Sequence, residues 1–371
     1  MPSQLAPSKV LFVLTRYIGD TLLATCMIRK LRLAYPDTQI DALVTVSGKL
    51  ALAGNTDLNN LITVGSKPKL VESLKLLKDN FYQYDWVIND KPSGKSEIYA
   101  MLFSKWLSKG SWRSRVVNEG DSEGWRTSRL FSEHTVFESS NEEHRIIRNF
   151  SLLSPLSLDD EMAVIAPEND ELPSLPKNYI VIHCPSSNQV KQWPVSSWKE
   201  LIERLEISGH KIVLTGSPSA RDENLLSELM ASLSPSDNIV NLSGSLSIAQ
   251  TSSLIKSSQG YIGADSGITH LASGHNVPII CIISVAAASM WAPWPYRMSI
   301  NEYEKQPYRN GVRRQVLGNV TILQSTRSCV PCGYGACRTD EKQVSPCLSD
   351  ISPNEVFESV VKSIHYHQGI K

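Results

Sequence analysis

The chain has 371 residues, 41% hydrophobic and 20% charged. This is ordinary globular composition, and at roughly 150 residues per domain the length suits two domains. Lys plus Arg and Asp plus Glu number 37 each, so the formal net charge is zero. A chain-wide basic field for nucleic acid and an acidic tail are both excluded.

The most apolar stretch, 277–292, is broken by Pro278, Ser284 and Ser289 and does not read as a membrane span. The run VLFVL at 10–14 is too short for the apolar core of a secretory signal and reads better as a buried strand. Together these point to a cytoplasmic protein. In that compartment seven cysteines argue for thiols or a metal site rather than disulfides.

In chain order, 10–14 predicts a strand buried on both faces. Leu23, Met27 and Leu31 at i, i+4 and i+8 predict a helix over 21–35, stopped by Pro36 and Asp37. Strands follow at 40–45 and 61–64. A helix over 69–81 carries Leu70, Leu74 and Leu77 on one side, then come a strand at 86–89 and a helix over 93–107. Polar residues 118–143 read as an extended loop, and 142–153 as a helix returning to the fold.

Acidic residues and Pro155, Pro167, Pro173 and Pro176 mark a boundary. The first domain is read as 1–155, the linker as 156–178 and the second domain as 179–371, with 162–166 either linker or edge strand. The second half restarts the alternation. Strands are predicted at 179–183, 211–215, 239–242, 260–263 and 278–283, and helices over 196–208, 220–233, 247–257 and 267–274. A last helix opens on the capping box Ser352-Pro353-Asn354-Glu355 and carries Val356, Val360 and Ile364 as its apolar stripe. Alternation of this kind implies two doubly wound α/β halves.

In such sheets ligands bind at the carboxyl ends of strands. The turn TRYIGD at 15–20 lies there, with Gly19 read as permitting a tight turn. Asp20 at the helix start is either an N-cap or an ionised carboxylate able to act as base. After the strand at 179–183, Ser186, Ser187 and Lys191 suit a phosphate, against the alternative of a polar loop with a solvated Lys. After the strand at 260–263 comes Asp265-Ser266-Gly267-Ile268-Thr269-His270. Ser266 and Gly267 open a helix whose N–H groups suit a diphosphate. Asp265 suits a loop or a ligand hydroxyl, and His270 reads as a packed helix histidine. No Walker A loop, G-x-G-x-x-G or Asp-x-Asp occurs. A bound diphosphate would therefore be neutralised by protein cations and helix ends.

Cys329, Cys332, Cys337 and Cys347 form C-x2-C-x4-C-x9-C within the segment 329–347. This spacing suits four thiolates round one tetrahedral ion, Zn or Fe, or else four unliganded thiols. Its distance in sequence from Asp20 and Lys191 makes it a structural or assembly element. Trp193 and Trp198 read as packing the following helix. Arg113, Arg115, Arg313 and Arg314 suit either an anionic acceptor or a solvated face.

Taken together these pieces resemble glycosyltransferase family 9, the ADP-heptose heptosyltransferases of lipopolysaccharide core assembly. The resemblance is carried by KVLFVLTRYIGDTLLATCMIRKLRLAYPDTQIDALV from Lys9, KQWPVSSWKELI from Lys191, DSGITHLA from Asp265 and APWP from Ala292. Residues 65–175 match only loosely. The family implies a GT-B fold: two facing Rossmann-like halves with a C-terminal helix, donor on the second half and acceptor on the first. It implies Asp20 as base, and Ser186, Ser187 and Lys191 at the donor phosphates. Asp265, Ser266, Gly267, Thr269 and His270 would form the donor loop, and Glu223 a ribose-binding acid. The implied reaction is an inverting, metal-independent transfer of heptose from ADP-heptose to an acceptor hydroxyl, with lipopolysaccharide core as partner and no nucleic acid. Peripheral contact with the inner membrane is compatible with it. Autotransporter heptosyltransferases related to the family carry iron on a similar Cys cluster, so a protein acceptor is the alternative. A sugar-nucleotide epimerase or hydrolase, and a non-catalytic assembly protein built on the Cys cluster, are the rival classes.

Overall fold

The computed structural model describes residues 6–65, 70–90, 94–105, 112–118, 135–137, 143–153, 162–169, 171–333, 337 and 345–369. For 112–118 and 135–137 the description extends to the backbone alone. The chain divides into two compact units, 1–160 and 161–371.

The first unit holds a 6-stranded sheet in the order β3-β2-β1-β4-β5-β6. Its strands are β1 Lys9–Leu14, β2 Gln39–Val44, β3 Asn60–Thr63, β4 Trp86–Asn89, β5 Trp112–Asn118 and β6 Thr135–Phe137, all parallel. From Val10 to Leu14 each residue of β1 is at most 1% exposed, as expected of a central strand covered on both faces. Helices α1 Ile18–Ala34, α2 Val46–Ala51, α3 Leu70–Asn80, α4 Gly94–Phe103 and α5 Arg145–Ser151 connect the strands, and α5 packs on α1. Chain order reverses between β1 and β4. The crevice outside their carboxyl ends is where such sheets place ligands.

The second unit repeats this plan in a 7-stranded sheet ordered β12-β13-β11-β10-β7-β8-β9. The strands are β7 Tyr179–His183, β8 Lys211–Leu214, β9 Ile239–Asn241, β10 Gly260–Ala264, β11 Ile279–Ile283, β12 Arg314–Leu317 and β13 Val320–Gln324. Only β12 runs antiparallel, turning into β13 through Gly318 (φ 55) and Asn319. The helices are α6 Val195–Ile207, α7 Ala220–Ser232, α8 Ile248–Lys256, α9 Gly267–Ala272, α10 Ala288–Trp291, α11 Ile300–Lys305, α12 Pro346–Ser349 and α13 Pro353–His367. Trp193 and Trp198 are buried edge-to-face at 4.9 Å beneath α6, as the sequence suggested, and Val356, Val360 and Ile364 of α13 join the same core. Here the order reverses between β7 and β10.

The structure departs from the sequence pattern in several places, among them β5 at 112–118, where no element was expected. α1 begins three residues early and takes Gly19 into a regular helical turn, so no special backbone is needed there. The stretch read as an extended loop contains β6. Residues 162–166 form no strand. The short α2 and the edge strand β12 carry little periodic signal, since α2 has six residues and two of the four residues of β12 face solvent, while β13 is a largely apolar run, buried throughout, where no strand was expected.

His183 and His275 are buried in the second unit, and burial pushes both from 6.5 down to about 4. The unfolded chain takes up protons that these folded imidazoles refuse. Their contribution to stability is whole above pH 6.5 and is lost as pH falls towards 4. Denaturant unfolding across that window should show stability falling with acidification, and His183→Gln should lower the slope by about one proton. A slope unchanged by the substitution would contradict this.

Candidate functional site

The loops that follow β7 and β10 lie side by side, because these strands pair directly in the sheet. After β7, Asn188 caps a 3-10 turn, Gln189–Lys191, by accepting from Val190 N at 3.2 Å. Ser186 is buried and donates its hydroxyl to Asn188 O at 2.7 Å, while Ser187 is exposed. The turn delivers Lys191 Nζ to 2.6 Å from Asp265 Oδ2 on the neighbouring loop, with side chains 25% and 7% exposed. Two residues 74 apart in sequence thus form one ion pair at the switch point.

Beneath Asp265 the floor is rigid. Thr269 donates its hydroxyl to Ala264 O at 2.5 Å, so the wholly buried Tyr261, 3.0 Å from Thr269 Oγ1, must be the donor in that pair. Ser266 Oγ lies 3.4 Å from the same oxygen. Thr269 and His270 are 1% and 5% exposed and packed in the interior. Ser266 and Gly267 remain at its accessible edge, opening a helix of six residues.

At the start of α7 the buried acid is Asp222. It accepts from Ser217 N at 3.0 Å and from Ser217 Oγ at 2.6 Å. Glu223 beside it is exposed and points towards Gly244. Arg221 Nη1 reaches back to Ser187 O at 2.8 Å and ties this helix start to the Lys191 loop. His183, at the end of β7, meets Thr215 Oγ1 at 3.0 Å. Sequence reasoning passed over Asp222 because it and Glu223 look alike in a helix's first turn.

In the first unit Asp20 is not the N-cap. Tyr17 holds that position without a side-chain bond, and Asp20 is the third helical residue, 7% exposed, at the positive end of a 17-residue helix. At the end of neighbouring β4, buried Asp90 pairs with buried Arg145 of α5 at 3.3 Å, and Arg145 also donates to Asp90 O at 2.7 Å. Arg148 and Asn149 are buried beside it. No sequence signal marked this cluster, since N-E-E-H-R-I-I-R-N-F reads as an amphipathic helix.

The structure corrects one reading of the cysteine segment, its distance from Lys191. Cys329 is exposed, Cys332 and Cys337 are partly exposed and Cys347 is buried. Burial first, and then the other three thiols, push Cys347 up to about 11, so the four are neighbours. Yet among the described residues no group of three or more His, Cys, Asp or Glu is gathered to hold a metal ion. Nor is the segment remote from Lys191: Ser345 Oγ donates to Val190 O at 2.7 Å, and Trp193 Nε1 reaches Leu348 O and Ile351 O at 3.1 Å each. Among the arginines, Arg313 pairs with Glu355 at 2.7 Å and Arg314 sits on the edge strand. The side chains of Arg113 and Arg115 lie outside the described residues.

Two Rossmann-like units, each with its polar cluster at a switch point, place the protein in the GT-B class of glycosyltransferases. A family model described as "Glycosyltransferase family 9 (heptosyltransferase)" matches residues 83–321, well over half of the chain. The chain belongs to that family and is a transferase. It is 27% identical over 341 residues to lipopolysaccharide heptosyltransferase 3 of Escherichia coli strain K12, covering 85% of this chain and 96% of that protein. The structure of E. coli ADP-heptose lipopolysaccharide heptosyltransferase II shares the fold with a TM-score of 0.69 at 18% identity, over 97% of this chain and 99% of that one. The iron-containing dodecameric glycosyltransferase TibC of enterotoxigenic E. coli does so at 0.55 and 12%, over 98% and 78%. No described helix is long and apolar enough to cross a membrane.

A Cβ added at Gly263 would sit 2.3 Å from Tyr261 Oη, so the phenol can fold under the loop only because residue 263 has no side chain. Gly263→Ala should cost about 1–3 kcal/mol of stability, measured by denaturant unfolding. A loss below a few tenths would show that Tyr261 is free to move.

Proposed function

We propose that the protein is an inverting glycosyltransferase that moves heptose from ADP-heptose to a hydroxyl of lipopolysaccharide core. The observation that carries this reading is the Lys191–Asp265 pair at the second switch point, because it sets a cation and a hydroxyl-accepting carboxylate where a nucleotide-sugar diphosphate would lie. On donor binding the Lys191 ammonium turns from Asp265 to the diphosphate, with Ser266 and Gly267 N–H groups beside it. Asp265 is then released to accept from a sugar hydroxyl. Asp20 takes the proton of the acceptor hydroxyl as its oxygen attacks the anomeric carbon from the face opposite ADP. The C1–O bond to the diphosphate breaks and its electron pair leaves with ADP, whose growing charge Lys191 stabilises. Glu223, exposed at the start of α7, is assigned to the ribose. The second unit is read as the donor domain, the first as the acceptor domain, and the enzyme as working in the cytoplasm against the inner membrane face.

Asp20→Ala should abolish heptose transfer while leaving ADP affinity within a few-fold. Lys191→Ala should weaken ADP binding by about 1.5–3 kcal/mol, the worth of a charge-assisted contact. Brief EDTA treatment should leave transfer intact. An Asp20→Ala enzyme that keeps its turnover places the base elsewhere. Release of ADP with truncated lipopolysaccharide, but not with an autotransporter passenger protein, separates the two acceptor readings.

We further infer that Cys329, Cys332, Cys337 and Cys347 take one Zn or Fe ion, which draws the neighbouring thiols together. The spacing and the mutual influence of the four thiols support this, and the likeness to a protein described as iron-containing agrees. The ion would supply four metal–sulfur bonds and no chemistry of transfer. Residues 345–351 brace the Lys191 loop, so Cys329→Ser/Cys332→Ser should lower thermal stability and weaken ADP binding together. Elemental analysis showing metal far below one equivalent, in protein never exposed to chelator, would overturn the inference.

A further inference from the structure

At the end of the second unit opposite Lys191 a groove of about 490 Å³ opens beside the edge strand β12. Pro278 and Asn319 stand at its base, just before β11 and β13, so it lies at the amino ends of strands whose carboxyl ends carry the site already described. Its floor is settled internally: Thr321 Oγ1 meets Ser363 Oγ at 3.2 Å, and Asn319 is spent on Val277 O at 2.7 Å and on Tyr296 N at 2.9 Å.

The walls are not settled. On β12, Arg314 and Val316 share one face of the strand by its period of two, and both are exposed. On α13, Lys362, Ser363, Tyr366 and His367 form a stripe at helical spacing that flanks the apolar stripe holding the core, with Lys362 and Tyr366 on its outer, exposed side. Arg314 uses Nε on Ser359 Oγ at 3.2 Å, and among the described residues its two terminal guanidinium nitrogens have no hydrogen-bond partner. Among the described residues Lys362 has a loose contact with Glu358, at 3.6 Å with both side chains more than half exposed. No carboxylate lines the groove among the described residues. Tyr296, Tyr366 and Val316 give the rest of the wall an apolar character, and Tyr366 is 84% exposed.

A groove of this size with one exposed cation on each wall and aromatic rings among its lining suits one ligand chemistry. We propose that it binds an amphiphilic anion: a phosphate-type head on Arg314 and Lys362, and an apolar body between Tyr296, Val316 and Tyr366. This site is separate from the donor site and does not depend on the assigned reaction.

The probe is dihexanoyl phosphatidic acid below its micellar concentration, titrated calorimetrically into the whole protein, with dihexanoyl phosphatidylcholine and inorganic phosphate as comparisons. Phosphatidic acid should bind once per chain, phosphate more weakly and phosphatidylcholine weakest. Arg314→Gln/Lys362→Gln should weaken phosphatidic acid at least tenfold, and Tyr366→Ala should weaken it without affecting phosphate. All three positions are exposed, so melting temperature and ADP binding should stay as in the wild type. Sedimentation with phosphatidylglycerol vesicles, lost in the double variant, would support the site with a bilayer headgroup as its source. Binding of the soluble lipid without vesicle binding would support it with a free ligand as its source. No binding up to millimolar phosphatidic acid, or binding within twofold of wild type in the double variant, would overturn the proposal.

Discussion

The ion pair between Lys191 and Asp265 is the contact on which the second unit's polar end depends. It joins the loops after β7 and β10 at the one place where the sheet's chain order reverses. Two parallel strands can be neighbours there only if the helices leaving them diverge to opposite faces. A gap opens that backbone alone cannot fill. The pair fills it with opposite charges, partly withdrawn from water, and each loop is stiffened from behind: Asn188 and Ser186 on one side, Tyr261 and Thr269 on the other. A partly buried pair with such support keeps its geometry, yet either partner can be exchanged for a ligand of matching charge.

The C-terminal segment completes this arrangement. Trp193, two residues past Lys191, is buried against Trp198 and hydrogen-bonded to the carbonyls of Leu348 and Ile351. The chain leaving the cysteine segment therefore forms the outer support of the Lys191 loop, and α13, which begins at once, packs on α6 beneath it. Residues 345–351 thus join the cysteine segment to the Lys191 loop, although 138 positions of sequence separate Cys329 from Lys191.

Much of the fold was legible because its strands are buried on both faces and its helices carry single apolar stripes. β1, β4 and β7 stand where their apolar runs placed them, and the capping box at Ser352 opens α13 as read. The edge strand β12 was not legible, because a strand half open to water has no hydrophobic signature, whereas the buried run of β13 was legible and passed over. The pairing of Lys191 with Asp265 could not be read from either loop alone, since it follows from strand order. The same is true of Asp90 with Arg145. His270 is packed inside the unit as its helical position suggested, and Thr269 is buried beside it. Family membership covers the fold and the class of reaction, while sequence separation hid the contact between residues 345–351 and the Lys191 loop.

The most direct measurement is the side-chain ammonium resonance of Lys191 in ¹⁵N-lysine-labelled protein, followed as ADP is added without divalent cation. If the lysine leaves Asp265 for the diphosphate, its signal should move and saturate together with calorimetric binding. Asp265→Asn should shift its starting position and leave the ADP-saturated position close to that of the wild type. Saturable ADP binding with the Lys191 resonance unmoved would contradict the account at its centre.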